Sequence, residues 1–129
     1  GFDGGKKIKG RKRYIMVDTR GNILAAAVTA ANLSDQQGLY LLLDTFRFKR
    51  LRKIWADMGF QGEEAKEYAA RKGYNLEIVS RRSPRSFVVQ AKRWIVERTF
   101  AWLGKFRRLS KDYEYRLCSS VSMMCIGMA

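Results

Sequence analysis

The sequence predicts an α/β fold in one domain of 129 residues. Two observations predict it: a hairpin of two strands over residues 14–29, and an alternation of helices and strands over residues 34–80. Such an alternation is typical of parallel strands joined by crossover helices. With 47% hydrophobic residues, the chain can form a single apolar core.

Charge and composition restrict the possible functions. The chain has 26 Lys and Arg against 12 Asp and Glu, for a formal charge of +14. A globular domain this basic most often faces a polyanion, and the alternative is a cationic domain with no such partner. The absence of histidine excludes Ser-His-Asp and Cys-His catalysis and imidazole metal sites. Carboxylates must therefore supply any metal ligands.

Residues 1–13 are predicted to form a basic arm. Glycines are frequent here, and six of the eight residues 6–13 are cations. We interpret the arm as a phosphate-contacting segment, and the alternative is a solvated, disordered terminus. The cations are Lys6, Lys7, Lys9, Arg11, Lys12 and Arg13.

Residues 14–80 are predicted to form the strand and helix core, beginning with the hairpin. An apolar run from Tyr14 reaches the turn signal Thr-Arg-Gly-Asn at residues 19–22, and a second run covers residues 23–29. Asp18 ends the first strand. We interpret it as the hydrogen-bonding acid of the turn, and a catalytic acid is the alternative.

A helix with Ser34 or Asp35 as its N-cap is predicted to cross the sheet. Its predicted core positions are Leu39, Leu42, Leu43 and Phe46.

Next come a short buried strand at 54–57, a glycine-containing loop, an amphipathic helix at 63–72 closed by Gly73, and a strand at 74–80. Residues 80–86 form a basic loop with the only proline.

Asp57 ends the apolar strand at 54–57. Groups at the carboxyl end of a strand line the functional crevice of α/β sheets, so this carboxylate is placed to reach a metal ion. The alternative is an acid that caps a helix or a turn.

Residues 91–109 are predicted to form a helix with two different faces. Glu97 lies on its cationic face. It is either a surface residue paired with Arg93 four positions earlier or a carboxylate metal ligand whose basic neighbours face DNA phosphates. The predicted core face carries Ile95, Val96, Thr99, Phe100, Leu103 and Phe106, and the charged face carries Arg93, Glu97, Arg98, Lys105 and Arg108.

Residues 119–129 are predicted to form a C-terminal helix that stops without a capping signal, which suggests a piece of a longer protein. Cys118 and Cys125 are seven residues apart, a separation along a helix too long for a disulfide, so we predict buried thiols in a reducing cytosol. No apolar run long enough for a membrane span and no signal peptide are present, so we expect a cytoplasmic protein.

Three stretches, together with their order along the chain, resemble the bacterial insertion-sequence transposases of the IS-four and IS-five superfamily. They read GFDGGKKIKGRKRYIMVDT at residues 1–19, IWADMGFQG at 54–62 and RWIVERTFAWLG at 93–104. The resemblance covers nearly the whole chain in one order, which makes it more specific than any single motif.

The resemblance implies a ribonuclease H-like mixed sheet flanked by helices, with a DDE triad that holds two Mg²⁺ or Mn²⁺ ions for cutting and joining transposon ends. Asp57 corresponds to the second acid and Glu97 to the last, within an Arg-x-x-x-Glu pattern that includes Arg93. Arg93, Arg98 and Lys105 are then expected to bind phosphates beside the cut. The implied partners are the terminal inverted repeats, target DNA and further copies of the protein.

The first acid normally lies on a strand before the basic arm, so we expect the chain to be the C-terminal part of a catalytic domain whose first strand is absent. By itself the chain would then bind DNA without cutting it. Two alternatives remain: a non-catalytic basic nucleic-acid-binding protein or inactive transposase remnant, and a ribonuclease H-like nuclease that hydrolyses DNA without joining ends.

Overall fold

The structure, a computed structural model, describes residues 1–5, 7–45, 47–79 and 93–127, without the side chains of Ile8, Arg93 and Trp94. The predicted basic loop at 80–86 lies outside these residues, as do Lys6, Phe46 and the last two residues of the predicted C-terminal helix.

The predicted basic arm is folded in most of its length. Strands β1 (Phe2–Asp3) and β2 (Ile8–Lys9) pair antiparallel as a short hairpin. Strand β3 then begins at Arg11, three residues before the predicted start, because Arg11 pairs with Ala30 across the next hairpin. The last residues of the arm therefore belong to a sheet.

Strands β3 (Arg11–Val17) and β4 (Ile23–Ala30) form the predicted antiparallel hairpin. The small side chains of β4 are buried in two separate clusters. Ala25 and Ala27 belong to the cluster that contains Leu42, whereas Ala26 and Val28 belong to the one that contains Met124. Because successive side chains of a strand point to opposite faces, β4 is a central layer covered on both sides by helices.

Helix α1 (Asp35–Thr45) begins with a capping box. The Ser34 Oγ accepts a hydrogen bond from the Gln37 backbone amide at 3.3 Å, and the Gln37 Oε1 accepts one from the Ser34 amide at 3.1 Å. Ser34 is thus the N-cap that the sequence offered as one of two choices. The predicted core residues Leu39, Leu42 and Leu43 are buried.

The second half of the predicted core is a βαβ unit. Strand β5 (Lys53–Asp57) is followed by a 3₁₀ turn (Met58–Phe60), helix α2 (Glu63–Arg71) and strand β6 (Asn75–Val79). Strands β5 and β6 are parallel, which confirms the prediction. The chain leaves α2 through Gly73 at a φ of 89°, as expected for a glycine beyond a helix end.

Helix α3 (Arg93–Lys105) buries Ile95, Thr99 and Leu103, as predicted from their spacing. The prediction for Phe106 was wrong: it is 51% exposed, because α3 ends at Lys105 and the chain turns. Leu109, beyond the turn, is buried in its place.

Helix α4 (Leu117–Gly127) begins two residues before the predicted start. Both of its cysteines are exposed, so the prediction of buried thiols was wrong. The helix turns Ser120 and Met124 toward β4, and this leaves Cys118 and Cys125 on the outer side. None of the helices in the described ranges has the length and apolar character needed to cross a bilayer.

The α/β class is confirmed. The described strands form three two-stranded sheets, β1–β2, β3–β4 and β5–β6, and no hydrogen-bonded ladder joins β3 to β5 among them.

Candidate active site

A cavity of about 510 Å³ lies between β3, β5 and α3. Its wall is mainly apolar, and three carboxylic acids from distant parts of the sequence, Asp18, Asp57 and Glu97, also line it. The apolar lining includes Ile15, Met16, Val17, Ile54, Ala56, Val96 and Phe100.

Asp57 is the last residue of β5 and is exposed. Its Oδ1 accepts a hydrogen bond of 2.8 Å from the Met58 backbone amide, which caps the 3₁₀ turn at Met58–Phe60. The carboxylate therefore has the capping role that the sequence offered as the alternative, and it also lines the cavity. A cap of this kind fixes the direction of the side chain relative to the strand end.

Glu97 lies on α3, which is attached to the β3–β4 turn by side-chain hydrogen bonds. The single proton of the buried Thr99 hydroxyl is shared between the Gly21 carbonyl at 3.1 Å and the Ile95 carbonyl of its own helix at 2.9 Å, and the Arg98 guanidinium donates to the Arg20 carbonyl at 2.8 Å. Gly21 has a φ of +95°, and a Cβ there would lie 3.3 Å from the Thr99 Oγ1 of α3. Glycine thus allows both the turn and the close approach of α3 that brings Glu97 to the cavity.

Asp18 lines the same cavity but is held in the turn. Its Oδ1 accepts from the backbone amides of Arg20 and Asn22 at 2.8 and 3.0 Å, and its Oδ2 accepts from the Asn22 side-chain amide at 2.8 Å. Burial alone would raise the pKa of Asp18, but these hydrogen bonds outweigh it and lower the pKa. The predicted role as turn acid is confirmed.

The predicted DNA-binding cations differ in how they are engaged. Lys7, Lys9 and Lys105 are exposed. Arg98 is half-buried, with its guanidinium 4.6 Å from the centre of the Trp102 ring, and Trp102 is itself 40% exposed. Lys6 and the side chain of Arg93 lie outside the described part of the structure, and so does the predicted pairing of Arg93 with Glu97.

Three other predicted DNA-binding cations, Arg11, Lys12 and Arg13, make contacts within the protein. The Arg11 guanidinium donates to Asp112 at 3.0 Å and to two backbone carbonyls at 2.6 Å each. Lys12 donates to Asp35 at 3.2 Å, and Arg13 donates to the Leu109 carbonyl at 2.7 Å. Their side chains join β3 to other parts of the fold.

Two cavity residues were not singled out from the sequence. Lys53 and Trp55 line the cavity and share the exposed face of β5 with Asp57, at alternate positions. The Lys53 Nζ lies 5.2 Å from the centre of the Trp55 ring. The alternation Lys-Ile-Trp-Ala-Asp carries this information, since residues two apart point to one face of a strand.

The cavity combines hard oxygen ligands with an apolar wall. Carboxylates of this kind suit Mg²⁺ and Mn²⁺. Within the described ranges, no three acidic or cysteine side chains are grouped closely enough to hold a metal ion. Asp57 and Glu97 can thus supply some of the ligands of a carboxylate metal site, and a further ligand would be needed to complete it.

Comparison with known proteins gives two matches, and both are to transposases. A proposed transposase for insertion sequence element IS402 from Burkholderia cepacia is 34% identical over 116 residues, which cover 83% of this chain and 55% of that protein. The chain thus spans about half the length of this curated relative. No solved structure is significantly similar to this chain. Residues 1–126 match the transposase DDE domain, and the chain therefore belongs to this transposase family.

Proposed function

We propose that this chain supplies the second and third acids, Asp57 and Glu97, of a DDE transposase that cuts and joins the ends of an insertion sequence. The observation that carries the proposal is that these two carboxylates, 40 residues apart in sequence, line one cavity. We assign the protein to the IS-four and IS-five superfamily on the three stretches that resemble it.

Asp57 and Glu97 would hold two Mg²⁺ or Mn²⁺ ions together with a third acid. When bound, such a pair of ions activates the attacking oxygen and stabilises the leaving oxygen of an in-line phosphoryl displacement. The rest of the chain holds these two carboxylates in position. The cap at Met58 orients Asp57, and the attachment of α3 through Thr99 keeps Glu97 at the same cavity.

The third acid would come from a strand that inserts between β3 and β5. Both strands line the apolar cavity, and no ladder joins them within the described part of the chain. A strand there would pair with β3 on one side and β5 on the other, and would link the two sheets into the single mixed sheet of a ribonuclease H-like fold. Asp18 is not assigned to the triad, because the turn uses both of its oxygens.

Arg98, Lys105, Lys7 and Lys9 are the cations that we propose for contacts with DNA phosphates. Arg98 and Lys105 share α3 with Glu97, so phosphates beside the cut would be within their reach. Arg11, Lys12 and Arg13 are weaker candidates, because DNA would have to replace their contacts within the protein. Arg98 would likewise have to give up its hydrogen bond to the Arg20 carbonyl. Joining two transposon ends would also require at least two copies of the protein.

The test uses a complete transposase that contains this chain. Asp57→Asn and Glu97→Gln should each reduce nicking of terminal-repeat DNA by more than about a hundredfold. Mutation of residues that only hydrogen-bond to metal ligands already costs about 10- to 100-fold in activity, and loss of a ligand should cost more. Binding of the same DNA should change by less than about threefold, because phosphate contacts dominate affinity. The readouts are cleavage and strand transfer with Mg²⁺ or Mn²⁺, and a binding titration.

Glu63→Gln is the matched control, since this exposed acid lies on α2 and outside the cavity. It should leave cleavage unchanged. Full cleavage by both cavity variants would contradict the proposal. Divalent-independent binding without any cleavage by the unmutated protein would instead favour the non-catalytic reading, and cleavage without strand transfer would favour the nuclease.

A further inference from the structure

A second basic surface lies at the end of β5 opposite Asp57. The loop of residues 47–52 joins α1 to β5 and carries four cations. All four side chains are exposed, and within the described ranges none of them forms an ion pair with an acid. They are Arg47, Lys49, Arg50 and Arg52.

The loop is fixed in place by its uncharged residues and its backbone. The Phe48 amide donates to the Tyr74 hydroxyl at 3.0 Å, and the Leu51 amide donates to the Phe48 carbonyl at 3.2 Å. Leu51 packs against the core beside Ile54. At the end of the loop, the Asn75 amide donates to the Arg52 carbonyl at 2.8 Å. The backbone that carries the four cations is therefore fixed by hydrogen bonds and by the packing of Leu51.

Nearby acids are already used by other cations. Asp44 pairs with Lys72 at 2.7 Å, and Glu77 pairs with Lys53. The 47–52 loop therefore keeps a net positive charge that these carboxylates do not neutralise. A compact group of cations of this kind attracts a polyanion.

We propose that the 47–52 loop is a second DNA-binding surface, which holds the phosphate backbone of duplex DNA away from the cut. This inference rests on the proposed function for the nature of its partner. From Lys53 to Asp57 the strand advances by about 13 Å at about 3.3 Å per residue, which equals roughly four nucleotide steps along one DNA strand. One duplex can thus reach both ends of β5.

The chemistry of the loop favours DNA over a membrane surface. A peripheral membrane segment inserts apolar side chains beside its cations. Here the two apolar residues of the loop, Phe48 and Leu51, are half-buried, and Leu51 packs inward. The exposed side chains of the loop are all cations, which suits contacts with a phosphate backbone and gives no base specificity.

The experiment measures the dissociation constant of the full chain for a random-sequence duplex oligonucleotide as a function of salt concentration. In the loop variant, the four cations are replaced by glutamine (Arg47→Gln, Lys49→Gln, Arg50→Gln and Arg52→Gln). Each lost phosphate contact lowers the slope of log K against log salt by about 0.9, so we expect the slope to fall by about 2 to 4.

The matched control removes four exposed cations elsewhere, by Lys66→Gln, Arg107→Gln, Lys111→Gln and Arg116→Gln. Its slope should fall by less than about 1, since these residues would not contact phosphates. A third variant keeps the charge of the loop through Arg47→Lys, Lys49→Arg, Arg50→Lys and Arg52→Lys, and should retain the slope. Circular dichroism of all variants checks that they are folded.

An unchanged slope in the loop variant would overturn the inference, and so would an equal loss in the control, which would indicate attraction by net charge alone. The inference would also be overturned if the loop variant bound phosphatidylserine vesicles more weakly than the unmutated chain but bound duplex DNA equally well. The proposed function fails independently, because it depends on cleavage by the Asp57 and Glu97 variants and not on the salt slope of the loop variant.

Discussion

At the scale of single residues, Tyr14 illustrates how one side chain can join a strand to a helix. Its ring is buried against α1 at Gly38, and its hydroxyl donates to the Asp35 carboxylate at 3.0 Å. Burial and the hydrogen bond to Asp35 raise the pKa of Tyr14 to about 12. The phenol therefore remains protonated, and remains a donor, at neutral pH.

The close contact at Gly38 predicts a measurable cost for a single methyl group. A Cβ at Gly38 would lie 2.4 Å from the Tyr14 ring, so Gly38→Ala should lower the free energy of unfolding by about 1–3 kcal/mol. Gly104→Ala is the matched control: this glycine also lies in a helix, but a Cβ there would have no neighbour within 4 Å among the described residues, and the change should stabilise the protein by up to about 1 kcal/mol. Urea unfolding of both variants measures the difference. Equal effects would contradict this account of the contact.

At the scale of elements, β3 is tied to the segment between α3 and α4. Arg11 reaches Asp112 and the carbonyls of Glu114 and Tyr115, and Arg13 reaches the carbonyl of Leu109. These partners are about 100 residues away in sequence, so the contacts connect the two ends of the chain. They explain why cations that resemble a DNA-binding arm contribute to the fold.

Asp112 predicts how this connection depends on pH. Burial alone would raise the pKa of Asp112, but hydrogen bonds from Ser120, Arg11 and the Glu114 amide outweigh it and lower the pKa. A carboxyl whose folded pKa lies below its unfolded value contributes stability that is present above the unfolded pKa, about 4, and is lost as pH falls through the folded pKa. The stability difference between the unmutated chain and Asp112→Asn should therefore be largest near pH 7 and should shrink below about pH 4.

Thermal unfolding of both proteins between about pH 7 and about pH 3 measures the effect. Glu67→Gln is the control, since this exposed acid lies in the middle of α2, away from the helix N-terminus, and it should show little difference at any pH. A difference for Asp112→Asn that stays constant down to pH 3 would indicate that the side chain acts through packing and not through its charge.

At the scale of the whole molecule, the alanine-rich strand β4 allows helices to pack on both faces, while β3 and β5 form the walls of the cavity. Small side chains in β4 leave room for α1 on one side and α4 on the other. The cavity with its acids lies where the β3–β4 hairpin and the β5–β6 unit meet. The fold therefore brings the candidate active site to the junction of its two halves.

The strand that we propose to insert into this cavity predicts a difference between the chain and a complete transposase. The open apolar wall should bind the dye ANS, which reports exposed apolar surface, and the complete protein should bind less of it because the proposed strand would cover the wall. Ala56→Glu, which adds a negative charge to the wall, should reduce binding of this anionic dye by the chain alone. Equal fluorescence, per mole, of the chain and the complete protein would count against a strand in the cavity.

Local structure followed from the sequence, because it depends on neighbours in the chain. An N-cap at Ser34 or Asp35, the turn acid Asp18, the parallel β5–β6 pair and most of the buried stripe of α3 were predicted from spacing, turn residues and apolar periodicity. The choice of Asp57 and Glu97 followed from their positions and from the resemblance to a transposase family, and their catalytic roles stay predictions.

Only the tertiary structure decided which polar and apolar groups meet across long sequence distances. Spacing alone did not show that Arg11 and Arg13 bind the segment before α4, that Leu109 replaces Phe106 in the core, or that Cys118 and Cys125 face outward. Nor did it show that Asp57 and Glu97 line one cavity. The physical reason is that periodicity identifies the faces of an element, whereas burial and pairing depend on which other element packs against each face.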